Sequence, residues 1–221
     1  MVLHTTPAHI GMARVPCGVI LLLLTAASTA AQDPGPIGPF VVDVRASLVG
    51  VGQDTQLATN RGLRPGQLAA SGLGLDIGGH VYLFRWRAVT IGLGASTLFA
   101  SPSRKPGQDD PDPSGPTVRT RFTAISPQLS LNFGTGDGWS YLSGGLGTSR
   151  ISVFVDDGNE PEQRRAGTLN YGGGARWFIR PGLAFSFDIR LFAISLLPPI
   201  NTEPGSPRMT RMAFSAGVSI K

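Results

Sequence analysis

The sequence predicts an all-β protein, an eight-stranded antiparallel up-and-down transmembrane β-barrel, and three observations carry that prediction. Stretch after stretch alternates apolar with small or charged residues at a period of two, as a strand does when its faces meet different surroundings. The links between these stretches alternate long and short, as they do when tight turns gather at one end of a barrel and loops at the other. The polar strand positions are Gly, Ser, Thr and Asn with a few Asp and Arg, whereas Glu160, Glu162, Glu203 and Lys105 all fall in predicted loops. A water-facing strand surface would carry Lys and Glu, so the polar face points into the barrel.

The elements follow in order. Residues 12–32 read as a secretory signal peptide, with Arg14 as its charged region, Val19 to Leu24 as its apolar core and small residues at 28–31 for cleavage. The apolar run is far shorter than the ~20 residues a membrane helix needs. Met12 offers a second start, since residues 1–11 add nothing a signal requires. This gives three regions: signal peptide 1–31, proline-rich lead-in 32–39 and barrel domain 40–221. Cys17, the single cysteine, precedes the apolar core, which disfavours a lipid anchor and leaves the mature chain without disulfides. The net charge of +5 falls by Arg14 to +4, borne mostly by arginines. No aromatic and basic residues cluster as they would in a nucleic-acid site.

The first strand, 40–50, sets Val42, Val44, Ala46 and Leu48 against Asp43, Arg45 and Ser47. A long polar connection over 53–67 precedes the second, 72–84, which carries Asp76 and His80 on its polar face. A tight turn at Arg85, Trp86 and Arg87 leads into the third, 88–100. Residues 101–117 are too rich in Pro, Asp and Ser to pair. The fourth strand, 119–133, contains Pro127, which demands a bulge or an unpaired position. The fifth, 139–154, mixes its parities: Leu142 and Leu146 oppose Trp139, Tyr141, Ile151 and Val153, so a glycine bulge near Gly144 and Gly145 is expected. A charged loop over 156–166 precedes the sixth strand, 168–179, with Arg176 inward. The Arg180, Pro181, Gly182 turn joins it to the seventh, Leu183–Ile194, where Leu183, Phe185, Phe187, Ile189 and Leu191 alternate with Ser186, Asp188 and Arg190. Another proline-rich loop leads to the eighth, 210–220, with Arg211 inward.

Trp86, Trp139 and Trp177 all fall at the turn end, where an interfacial aromatic girdle is expected. Over 40–220 the chain resembles the small outer-membrane β-barrel family of the OmpA and OmpX type, a likeness of pattern rather than of any diagnostic motif. That resemblance implies residence in the outer membrane as a monomer, with outer-membrane lipid and the outer-membrane assembly machinery as partners. Family barrels end in an aromatic residue; here the alternation through Met212, Phe214, Val218 and Ile220 is kept and Lys221 follows.

Asp43, Arg45, Asp76, Arg176, Asp188, Arg190 and Arg211 share the inward face and are expected to form a structural charge network, with Arg176 opposite or diagonal to Asp188. Eight strands leave an interior just filled by side chains, which disfavours an open channel. His80, expected opposite Gly92, is the only general-base candidate of the mature chain and has no Ser or Asp spaced for a triad. One histidine and no cysteine leave no ligand set for a metal, and no cofactor motif occurs. The expected function is that of a non-enzymatic outer-membrane protein presenting its loops for surface contact, adhesion or envelope integrity. The alternatives are an outer-membrane enzyme acting on lipid or peptide and a soluble periplasmic lipocalin-like barrel.

Overall fold

The structure is a computed structural model that describes residues 35–110, 113–156, 162–197, 199 and 204–221; the predicted signal peptide lies outside the described residues. Nine strands occur among them: β1 (Phe40–Gly50), β2 (Ser71–Trp86), β3 (Val89–Ala100), β4 (Ser103–Arg104), β5 (Val118–Thr135), β6 (Gly138–Val155), β7 (Glu162–Arg180), β8 (Leu183–Ile194) and β9 (Met209–Ile220). All but β4 follow the eight expected segments. Every pairing is antiparallel, and β1 with β9 and β3 with β5 complete a ring of eight strands, leaving β4 as a two-residue addition to β5. A closed ring removes the unpaired strand edges that a bilayer would not tolerate.

The short connections are tighter than the sequence suggests. Trp86 still pairs with Val89 and Thr135 with Gly138, so the turns are Arg87–Ala88 and Gly136–Asp137. At Pro181–Gly182, proline presets the first turn position and Gly182 takes φ +95°, which a side chain would resist. The charged loop predicted over 156–166 is shorter, because β7 begins at Glu162 and pairs with Val153. The first long loop holds a short helix, α1 (Thr55–Asn60), whose N-terminus is capped by Asp54 accepting from the Leu57 N–H at 2.8 Å.

The bulge expected in the fifth strand is absent. The β6–β7 register runs without a shift from Gly138 to Val153, so Trp139, Tyr141, Ile151 and Val153 all point inward and Leu142 and Leu146 outward. Trp139 is therefore no girdle residue: it is 3% exposed, whereas Trp86 at 65% and Trp177 at 48% do face outward at the turn end. The irregularity sits instead at Pro127, where β5–β6 pairing lapses between Ile125 and Leu129 and resumes in the same register. A Cβ on Gly145 would lie 1.8 Å from the Pro127 carbonyl oxygen, so glycine is needed there for the backbones to approach.

The interior is filled in three tiers. At the turn end, Ile37 of the lead-in packs with Val41, Trp139 and Tyr141. Trp139 stacks on Phe178 at 5.0 Å and meets Tyr82 edge-on, while the Lys221 ammonium sits 3.9 Å over the Phe178 ring and donates to the Gly136 carbonyl. A charged and polar tier occupies the middle. At the loop end lies an apolar core of Val49, Leu98, Phe122, Ile151, Val153, Phe192 and Ile194, onto which α1 and its flank lower Leu57, Ala58 and Leu68. Outside, Leu48, Leu75, Ile77, Leu93, Leu129, Phe185 and Ile189 present an apolar wall, as contact with acyl chains requires.

Candidate functional site

The middle tier is an ion cluster in which the carboxylates of Asp43, Asp76 and Asp188 face the guanidiniums of Arg45, Arg176 and Arg190. Period-two geometry puts Asp43 with Arg45, and Asp188 with Arg190, on the inner face of one strand each. Arg176 reaches across the lumen and donates from Nε and Nη2 to the two Asp43 oxygens at 2.9 and 2.6 Å. Ser219 also donates to Asp43, and Arg45 Nη2 approaches it to 2.7 Å. The other side of Arg45 donates to Asp76 at 2.6 Å and to Ser186 at 3.2 Å. Such a fork-to-fork arrangement offsets the desolvation that would make any one of these charges costly alone.

Asp188 accepts from Arg190 at 3.1 and 2.9 Å and from the Tyr141 hydroxyl at 2.7 Å. Arg190 continues to Asn170 and Ser143, and Asn170 joins Gln128 and Ser126. Two expectations change here. Arg176 lies diagonal to Asp188 in the β7–β8 register, as foreseen, yet its ion partner is Asp43. Arg211 is outside the cluster: β9 places it beside Phe192 near the loop end, where it donates to Met209 Sδ at 3.1 Å and packs over Gly52. A face shared along a strand does not mean a shared height, and the barrel is tall enough to separate the two.

Tyr141 is the member that sequence reasoning missed. It bridges Arg45 and Asp188, and Arg176 lies 4.1 Å over its ring. The signal was available in its parity with Ser143, Gly145 and Gly147, the small residues that mark an inner face. His80 stands opposite Gly94, not Gly92. It is buried beside the cluster, and neither ring nitrogen has a hydrogen-bond partner. Among the described residues no three His, Cys, Asp or Glu side chains converge as metal ligands. The space within the cluster is a cavity of about 10 Å³, room for about one water.

At the loop end the first two loops enclose a groove of about 440 Å³ lined by Gln53, Arg64, Gln67, Arg104, Asp110 and Pro116. Arg104 donates to Asp110 at 2.7 Å and the Gly107 N–H donates to its other oxygen at 2.6 Å. These contacts hold the Asp110 carboxyl below its ordinary pKa, the backbone donor contributing most.

The ring of eight strands, the outward apolar wall and the ion-paired lumen are those of a membrane barrel, and the sequence matches the family described as outer membrane protein beta-barrel domain over residues 19–221. The chain belongs to that family. Among curated proteins no sequence matches. Among solved structures the barrel is similar to Neisserial surface protein A, with 16% identity, a TM-score of 0.54 and coverage of 83% of this chain and 97% of that one. A second is Ail, the attachment invasion locus protein of Yersinia pestis, at 12% identity and a TM-score of 0.45 over 83% of this chain and 99% of that one. A third is the outer membrane protease OmpT from Escherichia coli, at 9% and 0.37 over 68% and 64%. At such identities the likeness to Neisserial surface protein A is one of fold.

Proposed function

We propose that this member of the outer-membrane barrel family is a non-enzymatic surface protein whose sealed barrel holds its loop-end surface in place for contact with partners outside the cell. The filled interior carries this reading. Aromatic packing at the turn end, six paired charges in the middle and an apolar core at the loop end leave no continuous polar path for a solute. A barrel that transports nothing has its two rims left to act with, and the loop-end rim holds the groove between Arg64 and the Arg104–Asp110 pair. Its cationic side favours an anionic or hydrogen-bonding partner group.

In this reading the protein is exported by its signal peptide, inserted by the outer-membrane assembly machinery and functions as a monomer in outer-membrane lipid. Two measurements test it. Protein reconstituted into a planar bilayer should give no stepwise conductance, and intact cells should lose a surface partner when the 53–67 or 101–117 loop is shortened. Reproducible conductance would replace the platform with a pore. Turnover of an envelope lipid or peptide that His80→Ala abolishes in a folded barrel would promote the enzyme alternative.

A further inference from the structure

On the outward face of β5, β6 and β7, just past the apolar belt toward the loop end, four exposed arginines stand together: Arg119, Arg121, Arg150 and Arg165. Arg150 pairs directly with Arg165 across β6 and β7. On its other side Arg150 pairs with Thr123, which places Arg121 diagonal to it, and Arg119 pairs with Phe154. Like charges directly opposite on one sheet face repel. Among the described residues none of the four has an ion-pair partner; Arg121 lies 5.0 Å over the Phe154 ring. A groove of about 290 Å³ opens beside them, lined by Thr117, Arg119, Arg121, Phe154, Val155 and Asp156, the last its one carboxylate.

The height of the cluster says what can neutralise it. Arg121, Arg150 and Arg165 each stand four residues beyond the exposed, outward Ile125, Leu146 or Leu169 of their own strand. At ~3.3 Å per residue and a strand tilt of ~40°, that separation is about 10 Å along the membrane normal. Arginine stems reach back over part of it, which brings the guanidiniums to headgroup level. An occupant there runs its acyl chains down the Ile125, Leu146 and Leu169 wall and its anionic groups against the arginines.

We infer that this face is a binding site for a phosphorylated, multiply acylated lipid of the outer leaflet, its phosphates held by Arg121, Arg150 and Arg165. The inference rests on membership of the outer-membrane family and needs neither the loop-end groove nor the non-enzymatic reading. A guanidinium fork matches phosphate oxygens in pairs, and the lateral spacing of three strands suits a headgroup carrying more than one phosphate.

The full chain folded in phosphatidylcholine nanodiscs is titrated with diphosphorylated lipid A, the same lipid without phosphates, inorganic phosphate, and heparin as a sulfated polysaccharide. Bound lipid is counted by native mass spectrometry. Wild-type protein should retain the diphosphorylated lipid and lose it once the phosphates are removed. R150Q/R165Q should weaken retention about tenfold or more, as expected when charged hydrogen bonds are lost, R150K/R165K should fall between, and R85Q at the opposite rim should match wild type. A heat-dependent gel shift retained by each variant shows that insertion is intact; should the double variant lose it, R165Q alone is read. Wild-type retention by R150Q/R165Q, or an equal loss with R85Q, overturns the site. Displacement of the lipid by equimolar phosphate or heparin overturns its assignment to lipid.

Discussion

The middle and loop-end tiers fill one tube with opposite chemistry. In the middle, the wall turns Leu129, Leu142 and Ile189 outward and Asp43, Arg176 and Asp188 inward; at the loop end, Arg121 and Arg150 point outward and Phe122, Ile151 and Val153 inward. The strands do not change their pleat between the two, since β6 runs through both without a register shift against β7. What changes is the medium outside. Where the wall meets acyl chains its outer face must be apolar, and the alternation leaves the polar residues inside, where they satisfy one another. Where the wall leaves the acyl chains for headgroups and water, the arrangement of a soluble protein returns, apolar inside and charged outside. On β5 the inversion falls between Ile125, the outward apolar residue nearest the loops, and the inward Ala124 and Phe122, and that position marks the membrane level.

The largest effects are expected in the middle tier, because its charges cannot be rehydrated when a partner is lost. Asp43→Ala strands Arg176, leaves Arg45 with Asp76 as its remaining carboxylate, and should destabilise by about 3 to 5 kcal/mol, the range for breaking a buried pair. Asp188→Ala leaves only Arg190 without its carboxylate, so its cost should lie near the bottom of that range, about 3 kcal/mol. Urea unfolding in lipid vesicles measures both. A cost for Asp43→Ala no greater than that of an exposed pair, about 0 to 1 kcal/mol, would show that water reaches the cluster and that the tiers are not different in kind.

Conservative substitutions sharpen the contrast. Phe122→Leu keeps an apolar side chain in the loop-end core, where Phe122 meets Phe192 edge-on at 5.7 Å, and should cost about 1 kcal/mol. Asp43→Asn keeps its volume, yet removes the charge that Arg176 grips, and should remain the costlier by a clear margin. Phe187→Leu on the outer wall loses a stacking contact with Trp177 at 5.5 Å and should cost less than about 1 kcal/mol, since acyl chains fill the space. Asp43→Asn as mild as Phe122→Leu would mean that charge pairing does not organise the middle tier.

This inversion also explains what the sequence did and did not reveal. The rule that apolar faces lipid places the outer face of β8 and β9, because the alternation of each is unbroken: Phe192 and Ile194, which join the loop-end core, keep the parity of Asp188 and Arg190. The same rule fails for β6, whose two ends enter apolar tiers: Trp139 and Tyr141 pack inward at the turn end, Ile151 and Val153 inward at the loop end. Reading all large apolar residues as outward forces a bulge that the chain does not make. The six network charges were legible from parity alone, but their pairing was not, because Arg176 and Asp43 meet across the lumen from β7 and β1, which are not neighbours in the ring. Arg211 shares their face and not their height. Of the outward arginines of β5 to β7, Arg119, Arg121 and Arg150 lay within predicted strands, but the charged loop predicted over 156–166 took Arg165 out of the sheet and so hid its pairing with Arg150.

The smallest expected effect separates the buried cluster from the partly exposed Arg104–Asp110 ion pair that lines the loop-end groove. Arg104, Gly107 and Asp110 form a local clamp in the second loop, in which the Gly107 N–H and the Arg104 guanidinium both donate to the Asp110 carboxylate, and the Asp110 N–H donates back to the Gly107 carbonyl at 3.2 Å. Because these donors hold the folded Asp110 pKa below its ordinary value, the clamp is fully present above the ordinary carboxylate pKa and is lost as pH falls through the lowered one. Gly107 amide exchange, corrected for its intrinsic pH dependence, should therefore accelerate only in that acid range. Asp110→Asn should accelerate it at neutral pH and leave global unfolding within error of wild type. Raising salt should loosen the clamp, which water and ions reach, and leave the Asp43 cluster unaffected. If Asp110→Asn instead lowered global stability as Asp43→Ala does, the loop would be bearing on the barrel itself, and the division between a rigid sealed tube and an independently adjustable loop-end surface would fail.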